Sequence, residues 1–368
     1  MGEEKLEQDA VQEEVQETNK IEVSVEIETD NNKIEYKKVG QNSKPRKQLV
    51  GVDNPEIETK RLRIFLAIAF GITWVIQIFV VRPMYLSGDE NAVARAVELL
   101  SQLTFAPAFA AVFARLFTQE GLSHSGLQFN ISENKFLFLF GWFGSTFLVF
   151  AGAILYFLFN KGNFDPNMTD FVNSYTGTEE DAIQIVAAFK TDLLIKVFTA
   201  PAYDIVNSFG EEWGFRAYLL PKLYRKVGTM KAILITSFLS GLWYAPMVAL
   251  GYFYGKDYTG FPVSGIVAMC IFGMATGIIY SSLSLITGSV FPAVFAHSAM
   301  NVMMTQAMFF TVDGGNPFIG PSVTGIIGGF PIILAAIGFL VYIYKHPIKT
   351  SAQKEEEKAA KIEKSVQA

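Results

Sequence analysis

The sequence predicts an all-α polytopic membrane protein of about eight transmembrane helices, and two observations predict it. The 368 residues are 51% hydrophobic with 33 phenylalanines and only 18% charged, and most of that charge is crowded into the two ends. From Lys60 onward, long apolar runs alternate with short polar breaks, and each run approaches the ~20 residues that cross a bilayer as a helix.

The first 60 residues are rich in Glu, Lys, Gln and Asn, with Tyr36 the one aromatic and no apolar run able to nucleate a core. They read as a disordered charged tail without a cleavable signal, so the first apolar span is expected to direct insertion. Candidate spans then fall at about 62–81, 94–117, 136–159, 190–211, 230–253, 261–284, 290–311 and 321–344. Charges interrupt the second (Arg95, Glu98) and the fourth (Lys190, Asp192, Lys196, Asp204). A charged tail is expected over 346–368, leaving a transmembrane domain at 61–345.

Loop charges orient the bundle, because cytoplasmic loops carry the excess of Lys and Arg. Lys60, Arg61 and Arg63, then Lys222, Arg225, Lys226 and Lys231, then Lys345, Lys349 and Lys354 share one side, while the acidic loop near 161–181 lies on the other. Both termini are therefore expected in the cytoplasm, with the bilayer as constant partner and no nucleic acid. The single cysteine, Cys270, excludes a disulfide framework and a thiolate metal cluster.

Ionisable groups at membrane depth are costly and usually face a protein interior. Three clusters stand out. In FGEEWGFRAYLL, Glu212 and Arg216 are four apart and stack as an ion pair on one helical face, whereas Glu211 points about 100° away. Either both glutamates balance the nearby loop cations, or Glu211 is left unpaired in a dry interior, where a carboxylate suits the role of general base. In FAHSAMN, His297 and Asn301 share a face; His297 is a satisfied core residue or one edge of a polar cavity. In SFLSGLWYAPM, Ser237, Gly241 and Tyr244 form a stripe that suits small-residue packing, and Pro246 distorts the turn before it.

These stretches, in this order, resemble the CPBP family of intramembrane proteases, which includes the CAAX prenyl endopeptidases and bacterial relatives linked to bacteriocin immunity and surface-protein display. EExxxR is present as Glu211, Glu212 and Arg216, HxxxN as His297 and Asn301, and GLWHxP as GLWYAP at 241–246. The likeness extends over about residues 60–345 and includes TFAPAFAAVFARLF, similar to the family's proline-containing second span. It implies a membrane-embedded polar cavity in which Glu211 activates a water to cleave a membrane-embedded or lipid-anchored peptide. His297 and Asn301 would hold the water or the carbonyl, and the protein would sit in a bacterial cell membrane.

The departure is Tyr244, which stands where the family has a histidine, with Ser240 where another version has phenylalanine. A phenol is a poor base but can donate to an oxyanion. Zinc wants at least three good protein ligands, and the cavity offers Glu211 and His297 with Asn301 a weak third, so a tightly bound zinc is not expected. The alternative implied by Tyr244 is a pseudoprotease that keeps the fold and binds a membrane partner as a scaffold.

Overall fold

The computed structural model describes residues 25–30, 33–38, 55–122, 125–173 and 179–348. They divide into two units, Met1–Gln48 and Leu49–Ala368. In the first, β1 (Val25–Asp30) pairs antiparallel with β2 (Lys33–Lys38), Ile27 opposite Tyr36 and Glu26 opposite Lys37. The pair lies within the charged tail that the sequence sets apart from the apolar spans. A hairpin needs alternation of apolar and polar residues rather than a long apolar run, and VEIETD and KIEYKK both alternate. The remainder of the tail up to residue 54, the loop histidine His124, and residues 349–368 with Lys349 and Lys354 lie outside the described residues.

The second unit is helical. Helix α1 (Pro55–Tyr85) is the first long apolar helix and contains a π-helical segment at Gln77–Val81. Helix α2 (Glu90–Leu103) starts on Asp89, whose carboxylate accepts from the Ala92 N–H at 2.8 Å. It bends by 42° into α3 (Ala106–Phe117), where Pro107 occupies the first turn, the place a helix tolerates proline. Then come α4 (Ile131–Phe159) and α5 (Glu179–Glu212), followed by a second π-helical segment (Trp213–Leu219) and α6 (Leu220–Val227). Helix α7 (Thr229–Leu242) breaks at Trp243–Tyr244 and resumes for one short stretch, Ala245–Ala249, with Pro246 in its first turn. Helices α8 (Val263–Thr287), α9 (Phe291–Met303) and α10 (Phe330–Lys345) complete the bundle.

Among the described residues four helices are long and apolar enough to cross a membrane: α1, α4, α7 continued to Ala249, and α8; the bent pair α2–α3 makes five if it is one span. The other expected spans differ for physical reasons. Segment 190–211 lies within α5, where Lys190, Asp192, Lys196 and Asp204 lower the hydropathy. Segments 290–311 and 321–344 give α9 and α10, of 13 and 16 residues, about 20 and 24 Å long at 1.5 Å per residue.

Close backbone approaches set the positions of the functional helices. Helices α7 and α8 cross at Gly241 and Gly273, where a Cβ on Gly273 would lie 2.4 Å from the Gly241 Cα. Gly214, just past Glu212, packs so tightly on Pro107 of α3 that a Cβ would meet it at 2.4 Å. Helix α5 kinks at Asp204 (φ −125°, ψ 15°), three residues after Pro201. Ser298 of α9 spans the break: its hydroxyl donates to the Pro201 carbonyl at 2.6 Å and accepts from the Asp204 N–H at 3.2 Å. The kink is thus satisfied from the neighbouring helix, as a backbone polar group in a dry interior demands.

At the basic end of the bundle, α1, α3 and α6 are tied by charge. Glu58 meets Arg61 at 2.6 Å and Arg225 at 3.1 Å. Glu120 meets Arg61 at 3.4 Å, Arg115 at 3.6 Å and Lys222 at 2.5 Å. Burial pushes the Lys222 ammonium down from 10.5 to about 8, against the opposing pull of Glu120.

Candidate functional site

The polar residues of the three motifs converge where the end of α5, the break after α7 and helix α9 meet. Glu211 and Glu212 are 3% and 0% exposed, so both carboxylates are withdrawn from solvent. Their partners differ sharply. Glu212 Oε1 takes the Arg216 guanidinium at 3.0 Å and His297 Nδ1 at 2.8 Å. The ion pair at i, i+4 is the one the helical spacing anticipates, and it survives the passage of the chain from α-helix to π-helix between the two residues.

Glu211 has no cation on it among the described residues. Its partner is the Tyr244 hydroxyl, 2.7 Å from Oε1 and 2.6 Å from Oε2, so one phenolic proton is shared between both oxygens. The expectation that Glu211 stands unpaired is therefore corrected. Residue 244 sits at the break between Leu242 and Ala245, where the chain leaves the α7 axis, and that turn directs the phenol across to α5. Neighbouring rings fix it edge-on, Trp243 at 4.9 Å and Phe253 at 5.7 Å between centroids.

His297 and Asn301 occupy one face of α9 but serve different carboxylates. His297 turns to Glu212 rather than Glu211, and Tyr280 of α8 stacks on its ring at 5.3 Å. Asn301 Nδ2 donates to Asp204 Oδ2 at 2.8 Å. Asp204 also accepts from the Ser208 hydroxyl at 2.9 Å and from Asn207 Nδ2 at 2.8 Å. Sequence reasoning counts Asp204 only as an interruption of the fourth span. The signal that finds it is the i, i+4, i+7 spacing of Asp204, Ser208 and Glu211, which sets all three along one side of the helix.

Ser240 was another position with no role assigned: its hydroxyl lies 3.0 Å from Arg216 Nη2, and Tyr280 lies under the same guanidinium at 5.6 Å. A small hydroxyl where a family variant has phenylalanine thus holds the arginine of EExxxR. The stripe to which Ser237 and Gly241 belong serves close packing, Ser237 against Gly277 and Gly241 against Gly273, while Tyr244 leaves it to reach Glu211.

The arrangement does not fit a zinc ion. Glu211 and His297 are held by different partners, and among the described residues no three His, Cys, Asp or Glu side chains gather as ligands.

Residues 194–303 match the family model described as Type II CAAX prenyl endopeptidase Rce1-like. That stretch is similar to a CAAX-protease domain. The matched stretch holds every motif residue of the site, from ten residues before Asp204 to just past Asn301, and leaves α1 to α4 and α10 outside it. No curated protein matches the chain closely enough to count as a relative. A stretch similar to a CAAX-protease domain, set in a bundle of apolar helices, agrees with a polytopic membrane protein.

Proposed function

We propose that the chain is an intramembrane endopeptidase of the CAAX-protease type, in which Glu211 activates a water to cleave a membrane-associated peptide. The observation that carries this is the division between the two glutamates. Glu212 is neutralised by Arg216 and His297, whereas buried Glu211 meets only a hydroxyl. In the reaction Glu211 takes a proton from water while the oxygen attacks the scissile carbonyl carbon. The C–N bond then breaks, and the proton passes to the departing amine. Tyr244 must first turn from the carboxylate, and its hydroxyl is then free to donate to the oxyanion. Arg216 and Glu212 hold the helix, His297 is steadied by Glu212, and Asn301, held by Asp204, is placed to receive the substrate carbonyl. The basic end of the bundle faces the cytoplasm in this reading, in the cell membrane.

A second reading, a pseudoprotease scaffold that binds a membrane partner, is favoured by the Tyr244 clasp. One hydroxyl within 2.7 Å of both oxygens sits where the water would be activated.

The test is cleavage of a lipid-anchored peptide by the purified protein in vesicles, comparing the wild type with Glu211→Gln and Tyr244→His. Wild-type cleavage that falls at least ~10³-fold in Glu211→Gln supports the endopeptidase. Equal cleavage in that variant ends it, and cleavage that starts only in Tyr244→His identifies the scaffold.

A further inference from the structure

Outside the matched domain, α1 carries a buried polar pair that no part of the site uses. Thr73 is fully buried and Gln77 1% exposed, and the Thr73 hydroxyl, Gln77 Nε2 and Gln77 Oε1 have no hydrogen-bond partner among the described residues. Lone hydroxyls without partners among the described residues occur elsewhere, as at Thr236 and Ser281. Gln77 is different because both ends of its amide are unmatched among the described residues. An amide left so in a dry interior costs about 1–3 kcal/mol per group.

The backbone marks the same place. Gln77 opens the π-helical segment Gln77–Val81, and such segments are frequent at functional sites. The other π-helical segment with this character follows Glu212 directly.

The position is tied to the site by two tryptophans. Trp243 Nε1 donates to the Ala69 carbonyl at 3.0 Å, and Trp74 Nε1 donates to the Trp243 carbonyl at 3.1 Å. Ala69, Thr73 and Gln77 follow one another at four-residue intervals on α1, so the polar pair continues the face that lies on Trp243. The π-helical segment itself packs on Ala245–Ala249, the stretch that Tyr244 begins. Depth sets the spacing. Glu58 and Lys222 belong to one ionic ring, and at 1.5 Å per residue Glu211 lies about 16 Å above Lys222, with Thr73 and Gln77 about 22 and 28 Å above Glu58, so the polar pair stands about 6–12 Å beyond Glu211, roughly two to four residues of extended chain.

We propose that Thr73 and Gln77 form a binding station for one main-chain peptide group of a membrane-embedded chain that occupies the cavity beside Tyr244 and Glu211. The chemistry is that of the amide itself. A peptide presented for cleavage or capture must be extended, which frees its N–H and C=O in a region where neither finds water. Gln77 offers one acceptor and two donors in a planar group that matches a peptide bond, and Thr73, one turn away, offers a hydroxyl that donates or accepts. The π-helical turn widens the helix where the Gln77 side chain leaves it. The inference rests on a membrane chain lying in this cavity, and holds whether Glu211 cleaves that chain or only retains it.

The experiment measures binding of a dansylated peptide whose prenylated cysteine is followed by three further residues to the full chain in nanodiscs. It is done in a Glu211→Gln background, so that bound peptide is not consumed, and thermal unfolding is followed in parallel. Thr73→Val and Gln77→Met keep shape and remove the polar atoms. Each is expected to weaken binding about 5- to 100-fold, the loss that goes with one to three kcal/mol of hydrogen bonding to a buried group. Each is also expected to leave the melting temperature unchanged or raise it by about 2–4 °C, since an unmatched buried group is removed. Unchanged affinity in both variants overturns the proposal, as does a melting temperature lowered by several degrees, which marks a structural role. Failure of the Glu211→Gln protein to bind the probe overturns it too. Binding that follows this pattern in a wild type that never cleaves leaves the station standing and removes the endopeptidase.

Discussion

Two regions of the bundle bury charge, and they do it in opposite ways. At the basic end, Glu58 and Glu120 are shared among Arg61, Arg115, Lys222 and Arg225, so each carboxylate is crowded by cations. In the centre, Asp204, Glu211 and Glu212 stand near one guanidinium and one imidazole, and both of those go to Glu212. The ring spends its carboxylates on holding α1, α3 and α6 together. The centre leaves Glu211 and Asp204 to hydroxyls and amides, which bind a carboxylate without neutralising it. Saturation marks a joint in this protein, and its absence marks a place where chemistry has been left open.

That contrast can be broken at its strongest point first. Arg216→Met removes the cation from Glu212, Ser240 and the Tyr280 ring together, and breaking a buried pair on one side costs about 3–5 kcal/mol. The expected result is loss of folded protein in a detergent-stability assay, with little recovery in Arg216→Lys, whose point charge cannot reach several partners as a fork does. Glu120→Gln comes next: it removes one anion from beside Arg61, Arg115 and Lys222, while Glu58 still meets Arg61, and is expected to lower stability by about 2–3 kcal/mol. Its effect should be smaller than that of Arg216→Met because the ring lies nearer water. Tyr244→Phe sharpens the comparison from the other side. It uncovers both Glu211 oxygens, and is expected to change the melting temperature by less than about 4 °C while changing cleavage or probe binding more strongly.

The smallest effect is in the pH dependence. Lys222 titrates near 8 in the folded protein and at 10.5 once unfolded, because burial disfavours its charge more than Glu120 favours it. Between those values the unfolded chain binds the extra proton, so stability rises with pH from about 8 to 10.5. Thermal unfolding across that range should show the rise in the wild type and a flatter curve in Lys222→Met.

Much of this was legible in the sequence, where local spacing decides the outcome. The pair Glu212–Arg216 follows from a four-residue interval and the Gly241 packing seam from small residues at helical spacing. The partners of Glu211 and His297 were not legible, because they depend on how α5, α7 and α9 approach one another. Periodicity gives a side chain's face but says nothing of which of two adjacent glutamates a neighbouring helix will reach. Asp204 was hidden for another reason. A charge in an apolar run reads as a weakness of the span until Asn301 and Ser298 are seen to close around it. The span count suffered likewise, since α9 and α10 are shorter than the apolar stretches that contain them.

The crossing of Gly241 on Gly273 works as a gauge block for the whole centre. Tyr244 lies less than one helical turn beyond it, so the thickness of the contact between α7 and α8 sets how far the phenol stands from Glu211. One methyl group inserted there would force two backbones apart by more than the reach of a hydrogen bond tolerates. The chemistry of a carboxylate is in this way calibrated by two residues that have no side chain at all.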